Sequence, residues 1–235
     1  DISILQAKED AKNTLNILEN FPGIYGHKTG KTDLLRVKDI QSSVKRKKLT
    51  KNLNMADYHK ELNTTIKFYL DRQTDKDRLS EITKKTNQFN LSLRQLSTQE
   101  VSNYINFKDK FVISIYVKDK ISNSGNVGAI FFQYNDRKLM VHSICLSCRV
   151  LGRELENVMI LQAIKLTIDK KKLLVNDVVF FHMKGPRNFP ALKWLKGIKS
   201  SAEFFNKVSE VNIKYDKIKN ILITDKNYNS CSLLF

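Results

Sequence analysis

The sequence lacks the features that would tie it to a membrane, a metal or an oxidising compartment. No uninterrupted apolar run approaches the roughly 20 residues that cross a bilayer, and no leader-peptide pattern opens the chain. Only three cysteines occur among 235 residues. They cannot all pair internally, so a reducing, cytoplasmic setting is expected. Cys145 and Cys148 form one Cys-x-x-Cys with no second pair to complete a zinc site, so no metal is expected. Acid is scarce too: 24 Asp and Glu stand against 41 Lys and Arg, a formal net charge of +17. A lysine-rich solvated surface accounts for most of that excess. The chain carries no aromatic ribonucleoprotein pattern, zinc finger or heptad-linked basic region, which leaves nucleic-acid binding as the third-ranked class. An acidic protein partner uses the same charge more economically, because complementary fields speed encounter and fix orientation without a deep groove.

What is present is enough apolar sequence, 41%, for a packed core. Ile4, Ala7, Ala11, Leu15 and Leu18 recur at helical spacing, with Phe21-Pro22-Gly23 as the stop. A loop-like stretch follows from Tyr25 to Thr32, then the basic cluster Lys45-Arg46-Lys47-Lys48 with Lys51. Met55, Tyr58, Leu62, Ile66 and Tyr69 predict another helix. Residues 1–75 therefore read as a helical N-terminal extension. Residues 76–235 read as a mixed α/β domain with a strand near Phe89, a helix near Val101, and strands over 111–118, 127–134 and 139–146. A long helix, a strand over 175–183, a helix from Phe189 and closing strands near 211–215 and 221–224 complete it. No repeat or low-complexity tract appears.

The most informative stretch is Ser147-Cys148-Arg149-Val150-Leu151-Gly152-Arg153-Glu154-Leu155-Glu156. It joins the strand-like Leu139–Leu146 to a helix marked by Leu155, Val158, Met159, Gln162, Ala163 and Leu166. A glycine turn into a helix leaves N–H donors without intrahelical partners, which suits an anion. Arg149 could add a charge-assisted bond worth about 1.5–3 kcal/mol. The bland alternative is a strand-to-helix corner with a solvated arginine.

With Gly185-Pro186-Arg187-Asn188-Phe189-Pro190-Ala191 and the following helix to Gly197-Ile198, this stretch resembles the acyl-CoA N-acyltransferase (GNAT) superfamily. Arg149 and Gly152 match the first two positions of that family's Gln/Arg-x-x-Gly-x-Gly/Ala pyrophosphate loop, and Glu154 departs at the third. Asn188, Ala191 and Gly197 match the later pattern, with Ile198 in place of Phe. The resemblance implies a mostly antiparallel mixed sheet flanked by helices, and a thioester held by backbone contacts between splayed strands. It also implies that Arg149, Val150, Leu151, Gly152, Arg153 and Glu154, with Asn188, contact coenzyme A or a phosphopantetheine arm. Lys193 stands where that family commonly places a tyrosine proton donor.

A second, closer resemblance covers most of the chain. Arg78-Leu79, Lys85-Thr86-Asn87-Gln88-Phe89-Asn90-Leu91 with Arg94, and Asp119 to Gly128 are similar to signatures of FkbH-like proteins, as is Ser147–Arg153. Those proteins load a glyceryl unit onto an acyl carrier protein in polyketide pathways. Thr32-Asp33 and Arg36 also resemble their linker. Such proteins usually open with a haloacid-dehalogenase-type phosphatase domain bearing Asp-x-Asp-x-Thr after an apolar strand. Here the sole Asp-x-Asp, Asp75-Lys76-Asp77, lacks that setting and is expected to be a turn. The phosphatase domain is thus expected to be missing from a fragment or processed form.

Remaining candidates follow from chemistry. Cys148, near a helix N-terminus, could act as a nucleophile or be a buried structural thiol. His142, alternating with Met140 and Ile144, reads as core-facing, a structural histidine or a general base. Asn87, Gln88 and Asn90 could bond an acyl or pantetheine amide, or only backbone. Asn188 could cap its helix. Asp119 and Asn123 read as turn formers. The expected function is an acyltransferase-like domain acting on a coenzyme A or carrier-bound thioester, with a silent carrier-docking module as the alternative.

Overall fold

A computed structural model describes Asp10, residues 12–15, Ser42, Arg46, residues 53–199 and residues 207–235. Helix α1 (Met55–Glu61) starts where the Asn54 side chain accepts the Asp57 N–H at 3.0 Å. Strand β1 (Thr65–Leu70) follows, then a 3-10 turn over Gln73–Asp75 that runs into α2 (Lys76–Lys85). Helix α3 (Thr98–Asn106) begins on a reciprocal Ser97–Glu100 capping box, which satisfies two N–H groups that the helix leaves open. The meander β2 (Lys110–Lys118), β3 (Asn123–Asn135) and β4 (Lys138–Leu146) comes next. Its β3–β4 connection is the two-residue Asp136-Arg137, both at positive φ, a geometry that follows the right-handed twist of the strands. Then come α4 (Glu156–Lys171), β5 (Asp177–His182), α5 (Phe189–Ile198), β6 (Ser209–Lys214), α6 (Tyr215–Thr224) and β7 (Ser232–Leu234).

The seven strands among the described residues form one sheet in the order β6-β5-β4-β3-β2-β1-β7. Pairing is antiparallel except at β4–β5 and β1–β7. The β4–α4–β5 unit is the crossover that parallel neighbours require. Helices α2 and α3 cover one face through Leu79, Ile82, Val101 and Tyr104. On the other face α4, α5 and α6 pack against the larger core. Helix α4 is buried on most sides, through Val158, Met159, Ile160, Leu161, Ala163 and Ile164, which explains why its apolar residues exceed a single stripe. The expected class, a mixed and mostly antiparallel sheet flanked by helices, is the fold observed.

Several local expectations need correction. The helical spacing of Met55 to Tyr69 ends at Asn63, which takes φ 48°, and Ile66 and Phe68 then alternate as inward residues of β1. The sheet thus begins at Thr65, ahead of residue 76. Residues 221–224 are helical, because Ile218 and Leu222, four apart, both face the core. Asp75-Lys76-Asp77 is the entry into α2 and not a free turn. Near Phe89 there is no strand, only a single bridge from Asn90 to Cys145. The expected helix from Ile4 to Leu18 is represented by residues 12–15, which are helical. Apart from Asp10, its remaining residues, with the 25–32 loop, Thr32-Asp33, Arg36 and most of the basic cluster, lie outside the described residues.

Candidate functional site

Strands β4 and β5 pair only from Lys138 to Val141 and from Asp177 to Phe180. Beyond that they part, and the segment 89–91 lies in the gap. Leu91 N–H donates to the Ile144 carbonyl at 3.1 Å, Leu146 N–H to the Phe89 carbonyl at 2.9 Å, and Met183 N–H to the Leu91 carbonyl at 3.0 Å. The strap therefore satisfies backbone groups of both strands, as a buried sheet edge requires. Phe89 and Leu91 are buried in the main core. Asn188, fully buried, closes the arrangement: its amide donates to the Asn90 carbonyl at 3.0 Å and the Met183 carbonyl at 2.8 Å, and accepts the Gly185 N–H at 2.9 Å. Its side chain makes no cap bond to α5, contrary to the capping expectation. Asn90 is also interior, its amide turned to the carbonyls of Thr83 and Arg94, each at 3.4 Å.

On the α2 side of the strap opens a cleft of about 570 Å³. Its walls come from segments far apart in sequence: Arg78, Glu81 and Lys85 of α2, Asn87 and Gln88, the Ser147-Cys148-Arg149 turn, and Arg187. Arg78, Lys85, Arg149 and Arg187 set four positive charges against the single carboxylate of Glu81. Burial alone would raise Glu81, but hydrogen bonds from Lys85 and Arg78 outweigh it and hold the carboxyl below its ordinary value. Those pairs measure 2.7 and 2.6 Å. Arg149 plays a double part here. Its Nε donates to Ser147 Oγ at 3.2 Å and its Nη2 to the Asn126 carbonyl at 2.9 Å, while Nη1 donates to the Ser124 carbonyl. It braces the start of β3 while facing the cleft. Cys148 is exposed on the same wall.

The turn itself departs from the phosphate expectation. Gly152 takes φ 76°, the left-handed conformation that favours glycine. Yet the Glu156 carboxyl stands near the Gly152 N–H and its own backbone N–H, both of which favour its charged form. Burial pushes that carboxyl up, and the nearby Glu154 and Asp225 push the same way. The sequence pattern flagged the turn but not the Glu156 carboxylate beside it. Arg153 is a second correction. It is buried and lines neither cleft; its Nη2 meets Asp119 Oδ2 at 2.7 Å, and Arg46 reaches the same oxygen at 3.1 Å. Asp119 Oδ1 accepts the N–H groups of Ile121 and Ser122, both at 2.8 Å, so the turn-forming role holds alongside the ion pairs. Asn123 likewise accepts the Gly125 N–H at 3.0 Å. Val150 is core, and Glu154 is exposed with its carbonyl bound by Asn227 at 2.7 Å.

Across the strap lies another cleft, of about 640 Å³, with Phe89, Leu151, Trp194 and Ile198 as apolar walls and Glu156 and Lys193 as charged ones. Gln88 borders both clefts. Lys193 is exposed and stands apart from the basic cleft that holds Cys148. His142 meets neither. It is the extra residue of a bulge in β4, between Val141, which pairs with Phe132, and Ser143, which pairs with Phe131. The bulge breaks its expected alternation with Ile144. Its Nδ1 lies 2.7 Å from the Tyr104 hydroxyl and its ring stands edge-on to Phe181. Burial, with Arg94 and Lys110 nearby, lowers its pKa to about 4. Sequence reasoning missed His59, fully buried, with Nε2 at 2.8 Å from the Arg153 carbonyl and Nδ1 at 3.0 Å from Thr64 Oγ1.

The residues at the turn do not fit the pyrophosphate of coenzyme A. The Glu156 carboxyl beside the Gly152 N–H, with Glu154 nearby, sets like charge where that anion would sit. The basic cleft, in contrast, fits an anionic group. No family model and no curated relative matches the chain. Among solved structures, mutant forms of the spermidine/spermine N-acetyltransferase SpeG from Vibrio cholerae are 12% identical, with TM-score 0.44, over 67% of this chain and 97% of that one. The PaiA N-acetyltransferase from Thermoplasma acidophilum, in complex with coenzyme A, is 13% identical, with TM-score 0.47, over 64% and 99%. The ribosomal-protein-S18-alanine N-acetyltransferase from Escherichia coli is 12% identical, with TM-score 0.41, over 58% and 76%.

Proposed function

We propose that this domain captures the phosphorylated arm of an acidic acyl carrier protein at the basic cleft, as the carrier-docking module of an FkbH-like system. One observation carries the reading: segments 78–88 and 147–149, which hold the motifs singled out in the sequence, meet Arg187 on one positively charged cleft. A phosphate monoester there would gain charge-assisted bonds of about 1.5–3 kcal/mol per well-placed arginine. The protein's +17 charge adds long-range attraction for an acidic carrier. Asn87 and Gln88, exposed at the rim, offer amides to the amide groups of the arm.

Acyl transfer is the second reading, favoured by the exposed thiol of Cys148 on the same wall. There the Cys148 thiolate would attack the thioester carbonyl, the new carbon–sulfur bond would replace the old one, and the pantetheine sulfur would leave and take up a proton. Calorimetric titration with holo carrier, apo carrier and coenzyme A separates the readings. Binding that needs the arm, weakens roughly tenfold with Arg187→Ala and proceeds without loss of thioester supports docking. Acyl-enzyme formation abolished by Cys148→Ser would establish transfer. Equal binding of apo and holo carrier would reject an arm site altogether. Lys193→Ala should leave all these results unchanged, since Lys193 stands on the other cleft.

A further inference from the structure

The gap between β4 and β5 is a place where an extended chain carrying amides can add to a sheet, because each strand offers backbone donors and acceptors beyond its last mutual pair. In this protein those groups are already met. The Ile144 carbonyl, the Leu146 N–H and the Met183 N–H all bond to residues 89–91 of the same chain. Asn90 bridges Cys145 in antiparallel register, as a ligand strand would. Two buried apolar side chains, Phe89 and Leu91, anchor the strap in the main core, and Phe89 lies 6.2 Å from the Trp194 ring, centroid to centroid. Asn188 then ties the strap to β5 and the following loop through three hydrogen bonds.

We propose that the 89–91 strap is a resident occupant of the β4–β5 gap, latched by Asn188, and that it closes this gap to pantetheine-like chains. Any such ligand is then confined to the surfaces on either side, with Gln88 marking the divide. The chain thus supplies its own substitute for a bound amide chain. Closure of the gap stands whether or not the basic cleft binds a carrier arm.

Residue-resolved amide exchange on the whole protein tests it, with pantetheine as a probe that lacks phosphate and coenzyme A as one that carries it. Leu91, Leu146 and Met183 should exchange within roughly tenfold of Ile113 and Ile115 at the sheet centre, and neither probe should speed them. Exchange at Leu91 and Met183 far above the sheet level would overturn the proposal, as would a rise of roughly tenfold or more on adding either probe. Asn188→Ala should raise exchange at Leu91 and Met183 by at least roughly tenfold while Ile113 stays unchanged. An unaltered strap in that variant would remove Asn188 as the latch. If Asn188→Ala does not fold, the wild-type comparison still decides closure. Failure of coenzyme A to bind the wild type would count against the basic cleft and leave the strap proposal standing.

Discussion

Asp119→Ala should cost far more stability than its place in a surface turn suggests. The carboxylate is fully buried. It accepts Arg153 Nη2 at 2.7 Å, Arg46 Nη2 at 3.1 Å and Nε at 3.2 Å, and the two N–H groups of Ile121 and Ser122 at 2.8 Å. Both arginine side chains are 7% exposed, so neither can swing readily into water when the shared anion goes. Breaking a buried pair by removing one partner costs about 3–5 kcal/mol, against about 0–1 kcal/mol for an exposed one. With a urea slope of about 1–3 kcal/mol per molar, the midpoint should fall by about 1–5 M. Asp119→Asn keeps an oxygen for the turn N–H groups and loses only the charge, so it should fall between wild type and the alanine variant. Equilibrium urea denaturation followed by circular dichroism measures both. A loss below about 1 kcal/mol for Asp119→Ala would refute the reasoning, since it would mean that the network behaves as a solvated pair.

Glu156→Gln should stabilise the protein at neutral pH. Burial and the neighbouring carboxylates raise the folded pKa, so the unfolded chain ionises first and stability falls as pH rises from about 4.5 upward. The glutamine removes that penalty, and urea midpoints should converge with wild type near pH 4; a variant weaker than wild type at pH 7 would contradict this. His59 runs the other way. Its folded pKa of about 4 lies below the ordinary 6.5, so the unfolded state takes the proton first and stability drops as pH falls from 6.5 towards 4. The effect is on the order of 3 kcal/mol at the acid end, and a pH series on His59→Gln should show a flatter dependence over that window. Among the three thiols, Cys148 alone should react fast with a disulfide reagent in the native state, because Cys145 is buried, Cys231 is half-buried, and burial pushes both up to about 12. Two fast thiols would be the wrong count. Phe89→Ala should cost about 3–5 kcal/mol and red-shift the emission of Trp194, the only tryptophan, whose ring packs near it.

Much of the architecture was legible because it rests on period. The β2–β3–β4 meander, α4 and β5 all follow apolar patterns that tertiary packing reinforces. Residues 62–69 were misread because Leu62, Ile66 and Tyr69 satisfy a helical spacing while Ile66 and Phe68 also satisfy a strand, and only the positive φ of Asn63 decides between them. The candidate site was legible as a set of motifs and illegible as geometry. Ser147–Arg149 and Lys85–Gln88 do meet on one cleft. Arg153, later in the same block as Arg149, turns inward to Asp119, a pairing that no local spacing reveals. Asn90 and Asn188 read as ligand contacts because their amides are chemically suited to them, but burial commits those amides to backbone groups of the chain itself.

The strap also constrains the order in which the chain can fold. Residues 89–91 bond to Ile144 and Leu146 on one side and to Met183 on the other, so the interior of the sheet contains a piece made early in synthesis and needed late. The β3–β4 hairpin can form on local contacts, and α4 can follow it. Strand β5 can settle fully only if the strap is already in place, and a β5 that docks early must open again to admit it. Such non-local closure carries a loop-entropy cost before its contacts are gained, which slows folding and prolongs exposure of unpaired edges. Until that closure is complete, the edges of β4 and β5 beyond their mutual pairs stay open to another chain.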